Sequence, residues 1–143
     1  MTITHEYLIS CISQYVQSEY FKNNFFHQPT QLLTTGEKRL FRSDHQDSCL
    51  TDYEAFDLKK EIYIIGEAKT TKYPLSDKKS KVQLDIYLEK LRAKKNPHLI
   101  YAVPCSLFEN TSQTIIRAAR KNKINMTLHV ITGMEKYNEV TKI

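Results

Sequence analysis

The sequence predicts an α/β domain, a central sheet covered by helices on both faces. Apolar residues near the start recur at helical spacing. From Tyr53 onward, short apolar runs of strand length alternate with longer stretches of helical periodicity, the pattern of helices crossing between strands of one sheet. No repeat, low-complexity tract or Pro/Gly/Ser linker interrupts the 143 residues, so 1–143 reads as a single domain.

The first element is a helix over Thr4 to Tyr20, where Leu8, Ile12, Tyr15, Val16 and Glu19 fall on neighbouring turns behind a capping Thr4. Between Lys22 and Tyr53 the pattern is poor. Phe25 and Phe26 open a short strand ending at Pro29, and Leu40 and Phe41 belong to another. Tyr53 to Leu58 and Ile62 to Thr70 are two strands joined as a hairpin through the charged turn Lys59-Lys60-Glu61. After Pro74, Ser76 or Asp77 caps a helix that runs to about Lys95 and is stopped by Asn96 and Pro97. Its apolar stripe is Leu84, Leu88 and Leu91, flanked by Ile86 and Tyr87. His98 to Val103 is a buried strand closed by Pro104. Ser112 then caps a helix through Ile115, Ile116 and Ala119, and Met126 to Ile131 is the last strand.

Composition narrows the function. The hydrophobic fraction of 41% suits a chain with a real core. No apolar run is long enough to span a bilayer, and the first helix carries His5, Glu6 and Glu19 with no small-residue cleavage site, so a soluble, cytoplasmic protein is expected. Cys11, Cys49 and Cys105 are scattered and odd in number, which fits reduced thiols. A net charge of +5 suits a polyanionic partner. The sequence has no Ser/His/Asp arrangement, glycine-rich phosphate loop or paired-histidine motif, which leaves other hydrolase mechanisms without support.

The chemistry concentrates in Ile62-Tyr-Ile-Ile-Gly-Glu67-Ala-Lys69, an apolar strand that ends in two charged residues. Strand alternation puts Glu67 and Lys69 on one face, about 7 Å apart, with Ala68 turned to the opposite layer and its carbonyl close by. Asp57, enclosed by Phe56 and Leu58 on the preceding strand, is brought level with Glu67 if the hairpin is tight. Two carboxylates, a backbone carbonyl and waters make an all-oxygen site suited to Mg2+ or Mn2+. Such an ion binds a phosphodiester oxygen and lowers the pKa of an attacking water, with Lys69 beside the scissile phosphate. Rival first acids are Asp52, Asp47 and Asp44.

An acid on one core strand followed by Glu67-Ala68-Lys69 on the next resembles the PD-(D/E)xK, or restriction-endonuclease-like, nuclease superfamily, near the pattern of phage-type Holliday-junction resolvases and transposase nuclease subunits. The resemblance extends in element order from Tyr53 to Ile131, although no proline precedes Asp57 and the segment from Gln31 to Asp52 is longer than the shortest members need. It implies a mixed central sheet flanked by helices and a metal-dependent DNA endonuclease. The metal would be held by Asp57, Glu67, the Ala68 carbonyl and a glutamate of the first helix, Glu6 in preference to Glu19. In several branches the next helix carries a glutamine facing the site. Gln83 matches it, and Tyr87 lies one turn further on. Small members act as dimers or as the nuclease subunit of a larger assembly. Junction resolution, host defence and transposition stay open, as do an RNA substrate and a non-catalytic binding module of the same fold.

Glu-x-Lys occurs about once by chance in a chain this rich in both residues, so its context carries the inference. Lys78, Lys79 and Lys81 in the first turns of the Gln83 helix oppose the helix dipole, a conflict that a phosphate would remove. With Lys72 and Tyr87 they are the expected nucleic-acid contacts. Arg42-Ser-Asp44-His45-Gln-Asp47-Ser-Cys49 reads as a solvated loop, with Arg39 and Arg42 available to phosphates. Arg117, Arg120, Lys121 and Lys123 read as a solvated helix face and end.

Overall fold

The computed structural model describes residues 3–22, 32–35, 38–41, 48–57, 62–70, 78–133 and 138–143. The expectations for Phe25 and Phe26, for Asp44, His45 and Asp47, for Arg42 and Lys72, for the turn through Lys59, and for a cap at Ser76 or Asp77 lie outside them. The fold is mixed α/β. Its elements are α1 (His5–Lys22), β1 (Leu32–Thr35), β2 (Lys38–Phe41), β3 (Ser48–Thr51), β4 (Tyr53–Asp57), β5 (Tyr63–Ala68), α2 (Lys78–Arg92), β6 (Pro97–Ala102), α3 (Phe108–Lys121), β7 (Thr127–Ile131) and β8 (Glu139–Lys142).

Six of the strands form one sheet in the order β1-β4-β5-β6-β7-β8, while β2 and β3 pair separately as a hairpin. β5, β6 and β7 run parallel, and the β1–β4, β4–β5 and β7–β8 pairs are antiparallel. Two successive crossovers, β5-α2-β6 and β6-α3-β7, step the same way across the sheet. Crossovers of one hand then place both helices on one face, and α2 and α3 do share a single apolar cluster with Ile65, Leu99, Tyr101, Leu128 and Val130. α1 covers the other face, where Leu8, Ile12 and Val16, each one turn apart, pack on Ile62, Ile64, Ile100 and Ile131. β5 lies between these layers and is buried along its whole length, which explains its near-continuous apolar run.

α1 lies close against the sheet. A Cβ on Gly66 would stand 2.9 Å from Ile12 Cγ2 and 3.0 Å from Tyr53 Cβ, so this strand position excludes any side chain. At the end of β7, Gly133 (φ +84°) takes the left-handed backbone that glycine permits, and a Cβ there would meet Tyr7 Oη at 3.0 Å.

Several elements differ from the sequence reading. β8 carries partly exposed polar residues, so no periodicity announces it. The helix expected to start at Ser112 begins at Phe108, after a 3₁₀ turn over Cys105–Leu107. Ser112 is therefore inside the helix, where its hydroxyl donates to Glu139 at 2.6 Å and ties α3 to β8. No helix among the described residues is long and apolar enough to cross a membrane.

Candidate active site at the end of the central strand

The β4–β5 register pairs Tyr53 with Gly66 and Phe56 with Tyr63. Continued by one residue beyond Tyr53, it sets Asp52 opposite Glu67. Asp52 occupies the bend between β3 and β4, where the chain leaves the small hairpin and enters the main sheet. Its Oδ2 accepts the Ala68 N–H at 2.9 Å and lies 3.1 Å from His5 Nε2. The strand end and the start of α1 thus meet on one carboxylate.

This register corrects the expectation for Asp57. The Asp57 N–H reaches the Ile62 carbonyl at 3.4 Å, at the opposite end of β5 from Glu67. At about 3.3 Å per strand residue the separation is roughly 16 Å. Parity also excludes it, because odd residues of β4 share a face with even residues of β5. Asp57 therefore points with Ile62 and Ile64 toward α1, whereas Glu67 points toward α2. The acid that the structure brings to Glu67 is Asp52.

Glu67 is only 3% exposed. Burial, then the Asp52 charge and a hydrogen bond with Asp52, push its carboxyl up to about 9, while Lys69 and the Tyr87 hydroxyl pull in the opposite direction. At neutral pH the Glu67 carboxyl therefore favours its protonated form. Lys69, half-buried one residue past β5, supplies the neighbouring positive charge.

Tyr87 was expected to contact nucleic acid, but it is completely buried and cannot. Its hydroxyl is 2.7 Å from Glu67 Oε2 and 3.3 Å from the Leu50 carbonyl; the shorter bond aims Glu67 and the longer one reaches β3. One turn earlier on α2, Gln83 Oε1 is buried with no hydrogen-bond partner among the described residues. Lys78, Lys79 and Lys81 are exposed in the first turn of that helix, which holds no acidic residue. Glu6 is exposed in the first turn of α1, and Glu19 lines a groove beside β7 and β8. The α1 residue that reaches the acids is His5, which the sequence reading passed over.

No family model and no curated protein matches the chain. Among solved structures it is similar to an XisH family protein from Nostoc punctiforme, at 14% identity over 93% of this chain and 98% of that one, with a TM-score of 0.39. It is also similar to an fdxN element excision controlling factor protein from Anabaena variabilis, at 12% identity over 90% and 94% of the two chains, with a TM-score of 0.37. Likeness this slight carries nothing about activity, which rests on the chain's own residues.

The donor set suits a hard divalent ion. Among the described residues no three of His, Cys, Asp and Glu form a ready-made metal cluster. Magnesium needs no such cage, since it is commonly bound through one or two carboxylates, with water and phosphate completing the shell. The raised Glu67 carboxyl beside Asp52 marks a place where positive charge is wanted, and one turn before Tyr87 on α2 the Gln83 oxygen is buried with no hydrogen-bond partner among the described residues. A soft or strongly nitrogen-seeking metal has less to hold it here.

Proposed function

We propose that this chain is a metal-dependent nuclease of the restriction-endonuclease-like kind that hydrolyses phosphodiester bonds in DNA. The observation that carries the reading is buried Glu67 beside partly exposed Asp52 at the end of β5, with Lys69 next to them and exposed lysines on the adjacent helix start. A buried carboxyl beside a second acid costs stability. Such an arrangement is typical of functional sites.

In this reading Asp52, Glu67 and the Ala68 carbonyl hold Mg2+ or Mn2+. When bound, the ion supplies charge for the developing phosphorane and lowers the pKa of an attacking water. Tyr87 keeps Glu67 at a fixed angle, and His5 does the same for Asp52. Lys69 places an ammonium beside the scissile phosphate and orients water. Gln83 offers a carbonyl oxygen to water. Lys78, Lys79 and Lys81, with Lys72, meet the backbone without reading sequence. Two-strand cleavage needs two such sites, which a homodimer or a larger nuclease assembly provides.

The test is nicking of supercoiled plasmid in magnesium against chelator, for wild type, Asp52→Asn, Glu67→Gln, Lys69→Ala and the exposed-site control Glu6→Gln. Cleavage that needs the ion and is lost in the first three variants alone is expected. Cleavage that survives Asp52→Asn and Glu67→Gln sinks the site. No cleavage of plasmid, branched DNA or RNA sinks the enzyme and leaves a binding module.

A further inference from the structure

On the α1 face of the sheet, away from the acids, three ionisable side chains form one chain of hydrogen bonds. Tyr15 Oη lies 2.6 Å from His129 Nδ1, and His129 Nε2 lies 2.9 Å from His98 Nδ1. The Tyr15 ring meets His129 edge-on, and the two imidazole centroids are 5.2 Å apart. Both imidazoles are wholly shielded from solvent, one on β6 and one on β7, at strand positions where an aliphatic side chain would be ordinary.

The geometry allows one proton in each gap. If Tyr15 donates to His129, then His129 donates to His98; if the order reverses, each bond simply changes direction. Both rings are neutral either way. A further proton on His129 keeps both bonds but buries a cation, and protons on both facing nitrogens set N–H against N–H. The Cα partners of the rings on the neighbouring strands are uncharged: Ile64 and Thr127 for His98, Ile100 and Val140 for His129. Charged groups on this face include Glu19 on α1, which acts on Tyr15, buried Asp57 near the far end of β4, and exposed Lys142, which β8 parity places opposite Thr127. Burial and His98 hold His129 well below the ordinary histidine range. Tyr15 borders a groove of about 670 Å³ between α1 and the β7–β8 edge, which gives water a route to the chain's outer end.

We propose that the Tyr15–His129–His98 chain is an acid-sensitive latch that holds α1, and with it His5, against the sheet. Tyr15 is a polar attachment of a helix that also packs through Leu8, Ile12 and Val16, and the same helix delivers His5 to Asp52. The sign follows from linkage. An imidazole kept neutral in the fold stabilises it above the ordinary value near 6.5, and that contribution is lost as pH falls below it, because the opened chain takes up the proton first. Acid therefore loosens α1, and with it one side of the site. The latch stands whether or not the chain cleaves DNA.

The test uses the full chain without nucleic acid. Histidine C–H resonances are followed by NMR from pH 8 to 5, and melting temperature and α1 amide protection, corrected for intrinsic exchange, are followed over the same range. Of the five histidines, His98 and His129 should stay neutral while the protein is folded, and α1 should lose protection before the sheet does. In Tyr15→Phe/His98→Leu/His129→Leu, which makes the contact apolar throughout, the acid-side fall in melting temperature should flatten. Ordinary titration of both rings in the folded wild type overturns the latch, as does an unchanged slope in the variant. If the variant does not fold, the wild-type NMR and exchange data decide alone.

Discussion

The two faces of the sheet bury ionisable groups in opposite ways. On the α2 face Glu67 becomes neutral by gaining a proton; on the α1 face His129, bonded to His98, is neutral because it lacks one. Burial drives both, since a low-dielectric interior disfavours the charged form of an acid or a base alike. Location separates them. The imidazoles lie within the sheet, bonded to each other and to Tyr15. The carboxyls lie at a strand end beside Lys69, next to a helix start that displays lysines and holds no acid. One cluster is sealed and ties elements together. The other faces a place where an incoming cation could take over from its proton.

The largest expected effect tests that contrast directly. Glu67→Gln reproduces the protonated side chain, so the folded protein should be at least as stable as wild type at pH 7 by thermal melting. Its cleavage of plasmid should nonetheless fall by about three orders of magnitude, the consequence of removing several kcal/mol of metal-borne stabilisation. Asp57→Asn, at the far end of β4 and on the other face, should leave the rate per folded molecule unchanged. A large loss in Asp57→Asn and none in Asp52→Asn would reverse the assignment.

A second effect lies in the pH dependence of stability, where the two faces should pull in opposite directions. The Glu67 carboxyl is raised in the fold, so its contribution is fully present below its unfolded value near 4.5 and is lost as pH climbs toward about 9. Glu67→Gln should remove this alkaline-side decline in melting temperature and leave the acid-side decline from the histidines. Added magnesium should stabilise the wild type more at pH 8 than at pH 6, because at lower pH the ion must displace a firmly held proton. A wild-type curve that is flat from pH 6 to 9 would argue that Glu67 is not buried as described.

How the register was misjudged shows what the sequence carries. The strands, the α2 stripe and the Glu67–Lys69 pair follow from local periodicity, which one sequence displays fully. The partner of Glu67 depends on where the hairpin is centred. Asp52 lies seven residues before Lys59, and Glu67 lies seven after Lys60, so a turn centred on the charged dipeptide selects Asp52. Asp57 looked attractive because Phe56 and Leu58 enclose it, but strand parity sends it to the other layer. His5 left no such trace, since which end of α1 approaches the acids is set by helix packing across the sheet. Tyr87 was misassigned for a related reason. A tyrosine beside an apolar stripe serves equally well as a surface contact or a buried hydroxyl, and the 2.7 Å bond to Glu67 decides for the second.

Tyr87 gives the third, intermediate effect. Tyr87→Phe keeps the buried ring and removes the hydroxyl that favours the Glu67 carboxylate. Loss of a hydrogen bond to a charged group costs about 1.5–3 kcal/mol, so a cleavage defect of roughly ten- to a hundred-fold is expected. The magnesium dependence should shift toward higher concentration and higher pH, because Glu67 then holds its proton more tightly. A purely structural role would lower the melting temperature and leave the magnesium midpoint unchanged.

The smallest effect belongs to the exposed rim, which differs from both buried clusters in acting only through screened charge. Each of Lys78, Lys79 and Lys81 contributes one cation near the start of α2, and a phosphate contact there changes affinity without selecting sequence. Single Lys→Ala variants should weaken duplex binding a few-fold and alike for unrelated sequences. The triple variant should reduce the slope of log affinity against log salt by up to about three. The cleavage rate at saturating DNA should stay unchanged, because none of the three contacts Asp52, Glu67 or Lys69. A salt slope equal to that of wild type would place the bound backbone elsewhere on the molecule, with the group Arg117, Arg120, Lys121 and Lys123 on α3 and just beyond it as the next surface to test.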